Sequence, residues 1–132
     1  MTYFVTGATG FIGRRLALRL RAEGHAVRAT VRDPAKARDL AAAGVELFPG
    51  DITDRPSLQK PMTGADGVFH LAALYKLGRR NVAGAEHINV TGTRNVLETM
   101  RDLGVPKGVY TSTLAVFSDT RGRLVDESYR HN

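Results

Sequence analysis

Apolar positions along the chain recur with two alternating periods. Short runs that are apolar throughout or at every second residue fall at 2–6 (TYFVT), 26–31 (AVRATV), 45–48, 66–71 (DGVFHL) and 108–113 (GVYTST), and each reads as a strand. Between them the spacing lengthens to three or four. Residues 11–22 put Ile12, Leu16 and Leu20 on one helical stripe, and Gly24 ends that helix as a glycine free to turn left-handed. A second helix starts at Pro34, runs through Ala43 and closes at Gly44. Residues 56–60 form a short helix for which the Asp54 carboxylate is the expected cap. Residues 86–103 carry Ile88, Val90, Val96, Leu97, Met100 and Leu103 as one apolar face, ending at Gly104 and Pro106. The polar, basic stretch 74–84 reads as a surface loop, and 118–132 has no clear period.

Strand and helix alternating at this rhythm require right-handed parallel crossovers. The expected fold is therefore α/β, a doubly wound (Rossmann) parallel sheet of about five strands with helices on both faces.

Composition narrows the setting. The 132 residues are 42% apolar and 24% charged, as in ordinary globular domains. No apolar run approaches the roughly 20 residues that span a bilayer, so no membrane partner is expected. The start, MTYFVTG, lacks a signal peptide's basic and apolar regions, and the expected location is cytoplasmic. Without cysteine there are no disulfides or thiolate metal ligands, and no metal site is expected. The net charge of +6 is spread along the chain. Its densest cluster, Arg14, Arg15, Arg19 and Arg21, belongs on the wet faces of the first helix. Nucleic acid is not the expected partner; a small phosphorylated ligand suits the sign of the charge equally well.

The first strand runs directly into Gly7-Ala8-Thr9-Gly10-Phe11-Ile12-Gly13 and then into the first helix. Such a turn needs residues without Cβ, and a pyrophosphate approaches a backbone only where no side chain intrudes. The helix N-terminus adds unpaired amides and partial positive charge. Gly7, Thr9, Gly10, Phe11, Ile12 and Gly13 are accordingly the expected phosphate cradle of a dinucleotide-binding domain covering 1–132. A free ribose 2′-hydroxyl is usually read by an acid closing the second strand. Here that strand ends Thr30-Val31-Arg32-Asp33, and Arg32 suits a 2′-phosphate instead. Asp33 stands near the expected acid position, but Pro34 after it marks it as a helix cap. NADP(H) is the favoured cofactor and NAD(H) the alternative, with Arg28 and Lys36 as possible auxiliary cations.

TGATGFIG resembles the signature of extended short-chain dehydrogenases/reductases, the group that includes nucleotide-sugar epimerases, dehydratases and dihydroflavonol reductase-like enzymes. Further matches follow in order over essentially the whole chain. Gly50-Asp51-Ile52 resembles a step where Asp51 would read the adenine amino group, with Ile52 beside it. His70-Leu71-Ala72-Ala73 resembles the segment in which Leu71, Ala72 and Ala73 would line the central ribose and phosphates. Asn89-Val90-Thr91-Gly92-Thr93 resembles "NVxGT", whose Asn89 would order the sheet and approach the nicotinamide ribose. ATVRDP and Asp126-Glu127-Ser128 resemble the dihydroflavonol and cinnamoyl-CoA reductase branch. Read from the residues alone, Asp51 is a turn carboxylate and His70 a satisfied core histidine with no catalytic part.

The resemblance also implies a hydroxyl just past the fifth strand that bonds the reacting oxygen, a tyrosine that moves the proton, and a lysine four residues later. Thr113 falls in the hydroxyl position, with Ser112 as fallback, whereas no YxxxK occurs in the sequence. A phenol with a pKa near 10 needs such a cation to act at neutral pH. The chain therefore reads as the N-terminal cofactor half of a longer protein, ending before the substrate domain. Its expected function is the NADP-binding portion of an oxidoreductase moving hydride between nicotinamide and a carbonyl or carbinol substrate. The alternatives are a nucleotide-sugar epimerase or dehydratase using NAD, and a non-catalytic dinucleotide sensor. A fifth strand left as a sheet edge predicts self-association.

Overall fold

Five parallel strands form the centre of the computed structural model, which describes residues 1–75 and 82–130. They are β1 (Thr2–Thr6), β2 (Ala26–Val31), β3 (Glu46–Pro49), β4 (Gly67–His70) and β5 (Gly108–Tyr110), in the order β3-β2-β1-β4-β5. The expected doubly wound sheet is therefore the observed one. β1 pairs with β2 from Thr2↔Ala26 to Thr6↔Thr30 and with β4 from Tyr3↔Gly67 to Thr6↔His70. Strand order thus reverses beside β1, where a crevice opens at the carboxyl ends.

Alternation along the strands divides the core in two. Val5, Val27, Ala29 and Val31 pack with Ala17 and Leu20 of helix α1 (Phe11–Ala22) and Leu40 of α2 (Arg38–Ala42). On the other face, Phe4 and Val68 meet Leu58 and Met62 of α3 (Arg55–Met62) and Val96 of α5 (Thr93–Asp102). The first turn of α1 differs from its expected stripe: Gly13, Ala17 and Leu20 are buried, while Ile12 is 57% exposed. Contact with the glycine turn sets this rotation, since a Cβ on Gly13 would lie 2.2 Å from the Gly7 carbonyl oxygen.

Other elements depart from the sequence reading at their ends. The segment from Pro34 begins as a tight four-residue turn, Pro34–Ala37, before α2, and Asp33 caps it as expected by accepting from the Ala35 amide at 3.0 Å. Asp54 occupies the cap position of α3, but its carboxylate makes no capping bond. Pro56 has no N–H to offer, and the Ser57 amide and hydroxyl both donate to the Asp54 carbonyl instead, at 3.1 and 2.7 Å. β5 stops at Tyr110 rather than Thr113, because the Thr113 hydroxyl accepts from the Ala115 amide and starts a short turn, Leu114–Phe117.

The helix expected over 86–103 is three pieces: α4 (Val82–Glu86), a wide π-turn segment (His87–Gly92) and α5. The wider turn shifts the phase of the apolar face. Val96 and Thr99 are buried in α5, whereas Val90 and Leu97 are about half exposed. The loop expected over 74–84 is helical from Val82, and residues 76–81 within it lie outside the described residues. Residues 118–130 contain no strand or helix. Among the described residues no helix is long and apolar enough to cross a membrane.

Candidate functional site

A cleft of about 230 Å³ opens at the carboxyl ends of the strands, where the strand order reverses. Its floor is the glycine turn, represented by Gly7, Thr9 and Gly10. The end of β2 supplies Thr30, Val31 and Arg32, and the segment after β3 supplies Gly50, Asp51 and Ile52. Leu71 to Leu74 and Ile88 complete the wall.

Backbone approach makes the floor. Gly7 has φ +70°, and a Cβ there would lie 2.7 Å from the Ala72 nitrogen. The Gly10 amide returns to the Gly7 carbonyl at 2.9 Å, and Gly10 is the extended N-cap of α1. The first amides of that helix have no partner within it. This cradle, whose close backbone packing leaves no room for a Cβ at Gly7 or Gly13, fits a pyrophosphate. A buried hydroxyl without a partner, Thr30 Oγ1, stands in the same wall.

Nine of the expected cofactor residues meet at this cleft: Gly7, Thr9, Gly10, Arg32, Asp51, Ile52, Leu71, Ala72 and Ala73. Phe11, Ile12, Gly13 and Asn89 are not among its lining residues. Phe11 and Ile12 turn outward, the Arg15 guanidinium lies 4.0 Å over the Phe11 ring, and Gly13 acts through packing. Asn89 works from behind the wall: its carboxamide accepts from the Leu74 amide at 2.8 Å and donates to the Leu74 carbonyl at 3.1 Å. Ser112 and Thr113 are exposed and do not line the cleft. Thr30, Val31, Gly50, Leu74 and Ile88 also line the cleft and are not among the expected cofactor residues. Thr30 carries a signal, as the last polar residue of β2 on the face opposite Val31, and Val31 and Gly50 adjoin expected residues; Leu74 and Ile88 carry none for a cofactor.

Charge gathers on the β2 side. Arg32 is 81% exposed, and its Nε lies 4.0 Å from Asp51 Oδ2. The other oxygen of Asp51 accepts from the Thr53 amide at 2.9 Å and its hydroxyl at 2.8 Å, so this carboxylate does close a turn. Thr9, Arg32, Asp33 and Lys36 line a second, shallow pocket that shares Thr9 and Arg32 with the cleft. Lys36 Nζ is 3.8 Å from Asp33. Arg28 points elsewhere: it donates to the Thr63 carbonyl at 2.7 Å and pairs with Glu46 at 3.4 Å, so it is no auxiliary cation for this site.

Behind the floor, His70 is 2% exposed, with Nδ1 2.6 Å from Thr6 Oγ1 and Nε2 2.9 Å from Thr93 Oγ1. Both nitrogens are satisfied, as expected of a core histidine, and burial lowers its pKa to about 4.

A parallel sheet in the order 3-2-1-4-5, with a glycine turn at the point of reversal, defines a Rossmann fold of the NAD(P)-binding kind. Residues 3–131 match the NAD dependent epimerase/dehydratase family, and the chain belongs to that family. The 4-hydroxy-2-methyl-3-oxo-4-farnesyl-3,4-dihydroquinoline-1-oxide ketoreductase of Stigmatella aurantiaca is 41% identical over 130 residues, which are 98% of this chain and 39% of the relative. Cinnamoyl-CoA reductase 1 of Oryza sativa subsp. japonica is 36% identical over 116 residues, 83% of this chain and 33% of the relative. Among solved structures, UDP-glucose-4-epimerase from Stenotrophomonas maltophila, with bound NAD and formylated UDP-arabinopyranose, superposes with a TM-score of 0.84 at 27% identity, covering 97% of this chain and 41% of that one. The chain thus spans about two fifths or less of the length of these proteins.

Proposed function

We propose that residues 1–132 are the dinucleotide-binding portion of an NADP(H)-dependent oxidoreductase of the dihydroflavonol reductase type, acting on a carbonyl or carbinol group of a small molecule. The observation that carries the choice of cofactor is the shallow pocket of Thr9, Arg32, Asp33 and Lys36 beside the glycine turn. Its two cations, each 81% exposed, adjoin the cleft where an NAD-reading protein would present an acid. The acid that is present, Asp33, is engaged in capping Pro34–Ala37.

In this reading the glycine turn and the first turn of α1 hold the pyrophosphate, and Arg32 holds the 2′-phosphate. Asp51 and Ile52 meet the adenine, and Leu71 to Ala73 the central portion. Asn89 keeps Leu74 in place at the nicotinamide end. Bound nicotinamide supplies the hydride chemistry. Thr113, with Ser112 beside it, is the proposed hydroxyl for the reacting oxygen; because Thr113 Oγ1 accepts from Ala115, its own proton is left to donate.

A second reading, NAD use by an epimerase or dehydratase, is favoured by the pairing of Arg32 with Asp51, which offers that cation a partner other than phosphate. Parallel titration of the chain with NADPH and NADH at matched salt separates the two. Preference for NADPH that disappears in Arg32→Ala supports the first reading. Equal or tighter binding of NADH overturns it in favour of the second.

A further inference from the structure

Thr30 sits on the last rung that β2 shares with β1, in register with Thr6 on one side and Phe48 on the other, and Thr6 is in turn in register with His70. The polar groups beside it are saturated. Thr6 Oγ1 meets His70 Nδ1 and the amides of Leu71 and Ala72, and the second His70 nitrogen meets Thr93. Thr30 differs: it is 7% exposed, its hydroxyl oxygen is buried, and that oxygen has no hydrogen-bond partner among the described residues.

A buried hydroxyl without a partner forfeits its bonds to water and regains nothing. Valine would fill the same volume without a polar atom, so the hydroxyl adds no stability to the chain by itself. Yet Thr30 lines the cleft, in the stretch of wall that also holds Arg32, Asp51 and Ile52. The methyl carbon Cγ2 lies toward Gly50, 3.1 Å from where a Cβ on that glycine would stand. The end of β2, Thr30 included, and the backbone at Gly50 therefore bound one corner of the cleft, with the buried hydroxyl of Thr30 directly behind it.

We propose that Thr30 is a binding residue for the adenosine half of the dinucleotide, its hydroxyl taking from the bound nucleotide the hydrogen-bond partner that the chain does not provide. The inference rests on the dinucleotide reading of the cleft and adds to it a group that distinguishes the nucleotide-bound chain from the free one.

The test compares the unsubstituted chain with Thr30→Val and Thr30→Ser. Urea unfolding is measured without nucleotide, and binding is measured by calorimetry with NADPH, NADH and adenosine 2′,5′-bisphosphate. Thr30→Val is expected to unfold at an equal or higher urea concentration and yet to bind NADPH and adenosine 2′,5′-bisphosphate about tenfold more weakly, the scale of one lost hydrogen bond. Thr30→Ser, which keeps the hydroxyl, is expected to bind within about threefold of the original. Unchanged affinity in Thr30→Val overturns the proposal. So does a loss of stability in the nucleotide-free Thr30→Val chain, because the hydroxyl would then have a partner inside the fold. Weaker NADPH binding with unchanged adenosine 2′,5′-bisphosphate binding overturns the assignment to the adenosine half. Failure of the unsubstituted chain to bind either NADPH or NADH removes the dinucleotide reading itself, and this proposal with it.

Discussion

Thr6 and His70 fix each other's protons. The Thr6 oxygen lies 3.2 Å from the Leu71 amide and 3.2 Å from the Ala72 amide, and amides only donate. Both lone pairs of the hydroxyl are thereby used, so its single proton donates to His70 Nδ1 at 2.6 Å. His70 must then be neutral with its proton on Nε2, from which it donates to Thr93 at 2.9 Å.

The same geometry sets a pH dependence. The groups packed on the ring are Thr6 from β1, Thr93 from α5 and the Tyr110 ring from β5, stacked at 5.4 Å, and no described ion pair involves His70. Its folded-state pKa of about 4 lies below the ordinary 6.5, so the unfolded chain takes up this proton first as pH falls. The contribution is complete above about pH 6.5 and is lost as pH falls towards 4, by about 3 kcal/mol in all. A titration of the His70 ring followed by NMR should show no protonation at pH 6, and unfolding in urea should become easier from pH 6.5 to pH 4.5. A ring that protonates near 6.5 would contradict this pH dependence.

Close approach at the glycine turn predicts a steep cost for one methyl group. Gly13→Ala would force a carbon to 2.2 Å from the Gly7 oxygen, and α1 cannot move away without opening the core at Ala17 and Leu20. A loss of about 3 kcal/mol is expected from the urea midpoint, at the upper end of the cost of overpacking. Gly24→Ala provides the comparison. Its Cβ meets nothing within 4 Å, and the expected cost is only the strain of a positive φ, about 1 kcal/mol.

Arg32→Ala should lower NADPH affinity ten- to a hundredfold, the scale of one charge-assisted bond, and leave NADH affinity nearly unchanged. Its pairing with Asp51 is exposed and contributes little to folding, so the urea midpoint should move by less than about 1 kcal/mol. Equal losses for the two nucleotides would assign Arg32 to general attraction rather than to the 2′-phosphate.

Asn89→Leu removes both bonds to the Leu74 backbone and leaves that peptide's amide and carbonyl without these partners. Destabilisation of about 2 kcal/mol is expected, with faster hydrogen exchange at the Leu74 amide. An unchanged exchange rate at Leu74 would show that Asn89 does not hold the wall.

β5 is an edge strand, with Val109 and Tyr110 more than half exposed beside the exposed Leu97 of α5. The expected consequence is concentration-dependent self-association of the chain, reduced by Val109→Lys. Sedimentation across a wide concentration range checks it; a constant monomer mass would contradict it.

Strand positions, helix order and the glycine turn were legible because each leaves a local mark: a period, a cap or a residue without Cβ. What misled was whatever depended on a neighbour. Ile12 has the right spacing for a buried stripe, but Gly13 and Ala17 approach the sheet more closely and rotate it out. Asp54 is a good cap by type, yet Ser57 bonds its carbonyl. Thr113 resembles the last residue of a strand and instead uses its hydroxyl to start a turn. Nine of the expected cofactor residues meet at the cleft because they lie at the ends of strands or in the turns that follow them. Thr30 shows in the sequence only as the last polar residue of β2, because the absence of a partner for its hydroxyl leaves no trace there.

The wide turn at His87–Gly92 has a geometric consequence of its own. It accommodates one residue more than a regular helix would over the same rise, so everything after it is rotated by about 100° around the axis. That offset lets Asn89 address Leu74 while Thr93, one turn on, addresses His70. The segment acts as a clutch between two phases of one rod: removing a single residue between 87 and 92 would re-engage a uniform helix, and only one of the two side chains would still meet its partner.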